Sequence, residues 1–391
     1  MFASGRRSCL RLFYGTGARR ARAHCRHTPD IVRYADYLEI QENIALAART
    51  TLGIGGPARW FVRATGETGI VDACAWARRR NLPLFVLGGG SNLLVSDAGF
   101  NGLVLHVANQ GIELDGALLR AAAGSAWDDC VRHAVSARLA GIECLAGIPG
   151  TVGGTPVQNV GAYGQEVASV IARVRAFDRA THRFVEFTGA ECGFAYRRSR
   201  FNTADRGRYV VTRVDYSLQP GGAPALAYRD LKTRFAGGAA APSLAQVAEA
   251  VRAIRQSKGM LLVAGDPDCR SAGSFFKNPV LPPSDVERVQ KIAGVPLRAF
   301  PAENEMLKIP AAWLIEQAGF RKGYAQGSVG ISSKHTLALI NRGGATASDL
   351  LALAARIQAA VEARFGISLQ MEPEKVGIAC AVSPVRSIDA P

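Results

Sequence analysis

The chain has 391 residues, 48% of them hydrophobic and 20% charged, which is too long for one ordinary core and fits a soluble enzyme of two or three domains. Its net charge of +15 is partly local: Arg6, Arg7, Arg11, Arg19, Arg20, Arg22 and Arg26 face only Asp30 in the first 30 residues, and the rest is spread without a basic stripe or RNA-reading aromatic motif, so small anionic ligands are expected and nucleic acid is not. No apolar run approaches the ~20 residues of a membrane span, and eight cysteines without C-x-x-C or zinc-type spacing read as free thiols of a reducing cytoplasm, with no metal site.

Residues 1–36 are set aside as a disordered or misassigned extension; the arginine-rich, acid-poor first 30 also allow an organelle transit peptide. An ordered chain is expected from about Tyr37. Turn-rich Thr50–Ala58 enters a strand at Arg59–Ala64. Helix Glu67–Arg80 follows, with Ile70, Ala73, Cys74 and Ala77 on one face, and then strand Leu84–Leu87. This strand feeds Gly88-Gly89-Gly90-Ser91-Asn92-Leu93. Beyond the glycines come apolar Leu93–Val95, a turn at Asp97-Ala98-Gly99 and strand Leu103–Val107. No helix succeeds the loop, so a diphosphate here would rest in a nest of backbone N–H groups and not at a helix terminus; a tight structural turn is the competing reading.

After strand Leu118–Ala123 and helix Trp127–Leu139 comes a second glycine-rich region, Ala146–Gly154, continued by Gln158-Asn159-Val160-Gly161-Ala162-Tyr163-Gly164. So many glycines and amides make poor regular structure but good backbone for wrapping a large flat ligand, and two such loops suggest a dinucleotide. Strands are expected at Ile171–Asp178, Arg183–Thr188 and Tyr209–Leu218, and helices at Ser243–Gln256, Ser284–Ala293, Ala311–Ala318 and Asp349–Phe365, the last capped by Ser348. Ala325–His335 reads as a loop before strand Thr336–Asn341, and the chain closes through strand Ile367–Met371 and Glu372-Pro373-Glu374.

Ser271–Pro279 gathers two hydroxyls, a glycine, two phenylalanines, a lysine, an asparagine and a proline. Gly273 frees the backbone before Ser274, while Phe275 and Phe276 anchor it after. The reading is a catalytic serine or a polar turn ahead of a strand. A nucleophilic hydrolase would need G-x-S-x-G or S-x-x-K around Ser274, and neither is present.

Taken in order from Tyr37 to Gly377, the motifs T-T-L-G-I-G-G, L-G-G-G-S-N-L-L, G-I-P-G-T-V-G-G, Q-N-V-G-A-Y-G, Y-R-x-S, R-x-x-K, S-A-G-S-F-F-K-N-P and E-P-E resemble the UDP-N-acetylenolpyruvoylglucosamine reductase (MurB) family. The Tyr228 segment with its flanking insertion is similar to the type I branch, which keeps a tyrosine loop over the substrate. The resemblance implies an α+β protein with an FAD-binding vanillyl-alcohol-oxidase/PCMH-type fold and a separate α+β substrate-binding domain. The implied division is a first FAD subdomain at 37–107 completed by 371–391, a second at 108–258, and a substrate domain at 259–370. It also implies a monomeric bacterial cytoplasmic enzyme in which FAD takes hydride from NADPH and reduces UDP-N-acetyl-3-O-(1-carboxyvinyl)-glucosamine to UDP-N-acetylmuramate for peptidoglycan.

By the same resemblance Gly88, Gly89, Gly90, Ser91, Asn92, Leu93, Ile148, Pro149, Gly150, Gly153, Gly154, Thr155 and Gly161 would hold FAD, with Arg255 near its phosphates. Arg197, Ser274 and Glu374 match the catalytic trio, and Tyr163, Tyr228, Lys258, Asn278, Lys322 and His335 the substrate side. The residue types suit the chemistry. Hydride delivery to the enolpyruvyl C3 leaves charge on C2 and its carboxylate, which an arginine fork stabilises; a hydroxyl can relay the proton C2 needs, and a neutral glutamic acid can donate alongside. Two departures stand out. The Gly259–Arg270 link is longer than expected and threatens to displace Lys258, and Lys375 stands where a flavin-contacting arginine is expected after Glu374. Another FAD-linked oxidoreductase of the same fold remains the alternative, with a nucleic-acid-binding protein as a remote one.

Overall fold

The computed structural model describes residues 31–34, 38–238 and 240–378; the arginine-rich residues 1–30, Tyr37, Cys9, Cys25 and Cys380 lie outside them, whereas Ile31–Tyr34, set aside with the extension, form a strand that pairs with Leu38–Gln41. The first sheet is built from β1 (Ile31–Tyr34), β2 (Leu38–Ala45), β3 (Pro57–Ala64), β4 (Leu84–Leu87) and, beyond the short β5 (Leu93–Val95), β6 (Phe100–Val107), in the spatial order β1-β2-β3-β6-β4. β1 to β3 are antiparallel neighbours, whereas β3, β6 and β4 run parallel. A parallel pair requires a crossover, and α1 (Glu67–Arg79) supplies it between β3 and β4. The face expected from its 3–4 spacing is the buried one, with Ile70, Ala73, Cys74 and Ala77 joined by Trp76.

A second five-stranded sheet is antiparallel throughout: Arg183–Thr188, Ile171–Asp178, Tyr209–Ser217, then β8 (Leu118–Ala122) and β7 (Ile112–Asp115). Strands read from alternation at 171–178 and 183–188 appear at those bounds. Helix α2 (Trp127–Ser136) seats Trp127 in the core the two sheets share, where its indole N–H donates to the Leu145 carbonyl at 3.0 Å.

A separate core forms around Phe275, Phe276, Leu314, Leu339, Leu350, Leu353 and Phe365, joined by Leu52, Ile54 and Leu94. Its long helix, Ala347–Phe365, starts earlier than expected because Thr346, not Ser348, caps it. Thr346 accepts from Asp349 N–H at 3.0 Å and the Asp349 carboxylate accepts from Thr346 N–H at 3.0 Å, so the box satisfies two terminal donors at once. Ser348 instead gives its hydroxyl to Asp97 at 2.7 Å.

The expected loop Ala325–His335 contains short strands at Ala325–Gln326 and Val329–Ile331, which pair with each other and, through Val329–Ile331, with Leu339–Asn341. Their glycines and serines hide the strand signal, and three residues carry too little alternation to show it. Ile367–Met371 forms no strand; Met371 makes only a bridge to Phe276. Instead Glu374–Val376 pairs in parallel with β5, returning the end of the described chain to the glycine loop.

Candidate active site

The two glycine loops meet backbone to backbone. The Ser91 hydroxyl donates to the Pro149 carbonyl at 3.0 Å, and a Cβ added at Gly89 would stand 2.6 Å from Gly150 Cα. Gly90, at φ +64°, sits so close to the Arg49 carbonyl that a Cβ would fall 1.9 Å from its oxygen. Only glycine is admitted at these approaches, so Gly88–Leu93 and Ile148–Thr155 line up as adjoining stretches of main chain. Gly153 and Thr155 bond their amides to Ala123 and Val152, and Gly161 starts the small hairpin that carries Tyr163.

Arg255 lies beside this junction, only 8% exposed, donating through Nε to the Gly147 carbonyl at 3.0 Å and through Nη2 to Met260 at 2.6 Å. Burial pulls its pKa down, with Tyr163 and Asp128 opposing. Asp128 itself is bonded to Arg252 at 2.8 Å. A buried guanidinium held on carbonyls at the root of a glycine loop suits an anion such as a phosphate, so the residues present fit FAD.

Arg197 adopts φ +56°, a conformation that costs a non-glycine residue ~1–2 kcal/mol. The surroundings hold it there. Asn202 donates to its carbonyl at 3.2 Å, and the guanidinium donates to Glu372 Oε1 at 2.8 Å, to the Gly161 carbonyl at 2.8 Å and to that of Asn159 at 3.5 Å. Ser274 is half-buried between Gly273, at φ +71°, and the buried Phe275 and Phe276. The next residue ties this segment to the E-P-E turn: Glu372 N–H donates to the Phe275 carbonyl at 2.9 Å. Glu374 lies two residues further along. Its N–H donates to Asn92 of the first glycine loop at 2.9 Å, but its carboxylate pairs with the exposed Arg206, whereas Arg197 pairs with Glu372.

On the other side Tyr163 and Tyr228 pack edge to face with centroids 5.1 Å apart, and Lys258 Nζ lies 5.6 Å from each ring. Lys258 also pairs with Asp230 at 2.7 Å. Burial opposes its charge, but Asp230 and the phenols outweigh this and raise its pKa. The long link after Lys258 does not carry it away from the tyrosines. Met260 N–H closes back on the Arg255 carbonyl at 2.8 Å, Cys269 Sγ bonds Leu261, and Asp266 pairs with Lys334 at 2.5 Å, so the extra residues fold into their own turn. Asn278 uses its Oδ1 on Ala311 N–H at 2.9 Å, at the start of helix Ala311–Gln317.

His335 and the exposed Lys322 complete this side. Burial first, then the charges of Lys258 and Lys322, push the imidazole down to about 4. An unfolded histidine takes its proton near 6.5, so between there and about 4 the unfolded chain binds a proton that the folded one refuses. Stability should therefore fall on acidification through that window and level off below it, by at most ~3 kcal/mol. Urea unfolding of wild type and His335→Gln at several pH values checks this; the variant should lose that part of the slope.

Sequence reading missed Glu372, Asp230 and Glu143. The Glu143 carboxylate is wholly buried and accepts from Gly141 N–H, Gln165 and Ala225 N–H, each at 2.8 Å, rooting both the tyrosine segment and the Tyr163 hairpin. E-P-E offered a signal for Glu372, but nothing local marks the other two. Cys144, adjacent to Glu143, is pushed up to about 12 by burial, which makes it an inert core thiol.

Residues 58–187 match the FAD binding domain, and residues 266–376 match the C-terminal domain of UDP-N-acetylenolpyruvoylglucosamine reductase. The UDP-N-acetylenolpyruvoylglucosamine reductase of Streptomyces coelicolor is 46% identical over 343 residues, covering 85% of this chain and 89% of that protein. That of Thermobifida fusca is 46% identical over 350 residues, covering 86% and 98%. Among solved structures, the UDP-N-acetylenolpyruvylglucosamine reductase of Thermus caldophilus superimposes with a TM-score of 0.62 at 27% identity, covering 87% of this chain and all of that one. The α+β, FAD-binding fold expected from the sequence stands.

Proposed function

Because the chain belongs to the UDP-N-acetylenolpyruvoylglucosamine reductase family and is an FAD-dependent oxidoreductase, we propose that it reduces the enolpyruvyl ether of UDP-N-acetylglucosamine to UDP-N-acetylmuramate, with NADPH as hydride donor, for peptidoglycan synthesis. The observation that carries this reading is the convergence on Glu372: its side chain holds Arg197, and its backbone joins the Ser274 segment to the glycine loop. Bound FAD supplies the hydride chemistry. Gly88–Leu93, Ile148–Thr155 and Gly161 would hold it through their main chain, and Arg255 would supply positive charge for its phosphates.

Arg197 receives the substrate carboxylate and steadies the charge that grows there in the transition state. Ser274 relays the proton to C2. Glu374 assists as an acid once its side chain has left Arg206, taken a proton from solvent and turned toward the reacting carbon. Tyr163, Tyr228, Lys258, Lys322 and His335 hold the nucleotide diphosphate and sugar; the two lysines supply charge, and the neutral imidazole accepts or donates a hydrogen bond. Asn278 supports the sugar side through helix Ala311–Gln317, which its side chain caps. The domain division at 107, 258 and 370 belongs to the same reading; the core that Phe275–Leu369 builds, with Leu52, Ile54 and Leu94 joining it, supports the last two boundaries, and the two separate sheets, which share one core, support the first. So do a cytoplasmic location and a monomeric state; among the described residues no helix is long and apolar enough to cross a membrane.

The test is direct. The purified protein should be yellow and should consume NADPH when given the enolpyruvyl sugar nucleotide. A colourless protein that FAD cannot reconstitute would end the proposal, and NADPH oxidation indifferent to that substrate would return the chain to the wider class of FAD-linked oxidoreductases.

A further inference from the structure

We infer that Glu372 is a positioning residue for the reaction, fixing the orientation of Arg197 relative to Ser274 and the first glycine loop; the inference rests on the reductase reading above. Three segments far apart in the chain meet on this one residue. Its carboxylate takes Arg197 Nε at 2.8 Å across 175 residues, its carbonyl accepts from Asn92 Nδ2 at 3.3 Å across 280, and its N–H reaches the Phe275 carbonyl at 2.9 Å.

The Arg197–Glu372 side chains are only 19% and 13% exposed, so this is no solvated surface pair. A charge-assisted bond in such a setting is directional and resists rotation. Arg197 needs that restraint, since its backbone occupies the left-handed region and its side chain has four rotatable bonds. With Nε on Glu372, one Nη2 proton on Gly161 and one Nη1 proton on Asn159, the guanidinium keeps one N–H on each terminal nitrogen for an incoming carboxylate. Glu372 therefore does two things. It aims the fork, and it places a resident anion on the same cation that the substrate must share.

These two effects separate in experiment. Glu372→Ala loosens the aim and removes the competing anion, so the rate constant for flavin reoxidation by the enolpyruvyl substrate should fall about tenfold or more, within the ~10²-fold that a small misplacement of a catalytic group can cost. Substrate binding to the oxidised holoenzyme, followed by calorimetry, should be unweakened. Glu372→Gln retains an acceptor for Nε and should recover the rate to within about threefold. FAD content and the rate of flavin reduction by NADPH should match wild type in both variants.

The inference is overturned if Glu372→Ala reoxidises within about twofold of wild type, if glutamine is as poor as alanine, or if FAD retention and NADPH-dependent reduction fall as far as substrate reduction, which would mark a merely structural role. A wild-type protein that binds FAD but ignores the enolpyruvyl substrate sinks the reductase reading instead, so the two failures are distinguishable.

Discussion

Ser274→Ala should bind FAD and accept electrons from NADPH as wild type does, yet reduce the enolpyruvyl substrate at least ~10²-fold more slowly, the low end of general acid catalysis. The substitution is well suited to the question. Ser274 is only half-buried, and its neighbours Phe275 and Phe276 are the parts of the segment that sit in the core, where their rings pack edge to face at 5.4 Å. Removing one oxygen leaves those anchors, the Phe275 N–H bond to Leu337 and the bridge from Phe276 to Met371 in place. Alanine fills the same backbone position after Gly273 without new bulk. Loss of rate in the second half-reaction alone would then report the missing proton and not a displaced loop. Stopped-flow measurement of the two half-reactions decides it: reoxidation within about threefold of wild type would remove Ser274 from proton transfer.

Arg197→Ala should cost ~10²–10³-fold in the same step, the range for deleting one donor that meets developing negative charge. Lysine should recover little of it, because an ammonium cannot reproduce the bonds to Glu372, Gly161 and Asn159 that the planar fork makes together. The alanine variant also leaves Glu372, 13% exposed, without its cation, so some loss of stability should accompany the loss of rate. Arg197→Gly separates the two effects. Glycine suits φ +56° better than any other residue, so this variant should be more stable than alanine and equally slow. Thermal unfolding beside single-turnover kinetics tests the pair; a glycine or lysine variant with near wild-type turnover would mean that the guanidinium does not meet the substrate's charge.

Much of this was legible because it is local. Glycines at 88–90 and 150–154 announce close main-chain approach whatever lies opposite, and the strands at 171–178 and 183–188 show in their alternation. The cap of the last helix was misread by two residues because Thr346 and Ser348 are both capping residues, and only the partner at Asp349 tells them apart. The two acids of E-P-E pose a harder problem. Residues two apart in extended chain point the same way, so the sequence cannot say which carboxylate meets which arginine. That depends on Arg206 and Arg197, which come from other parts of the chain. Asp230 and Glu143 are illegible for a related reason: their partners are a lysine 28 residues later and an amide 82 residues away.

The parallel pairing of Glu374–Val376 with Leu93–Val95 also bears on biogenesis. The glycine loop emerges from the ribosome early, but its neighbouring strand and the Glu372 carbonyl that accepts from Asn92 arrive some 280 residues later. Contacts of such long sequence separation form late and slowly. A nascent chain can assemble both large sheets while the wall beside its first glycine loop is still missing, so, on the proposed placement of FAD at that loop, tight cofactor loading should be one of the last events in making the protein. A truncation just before Glu372, which takes away the last strand of the described residues and the turn before it, should therefore spare most of the hydrophobic core and still disable the proposed site.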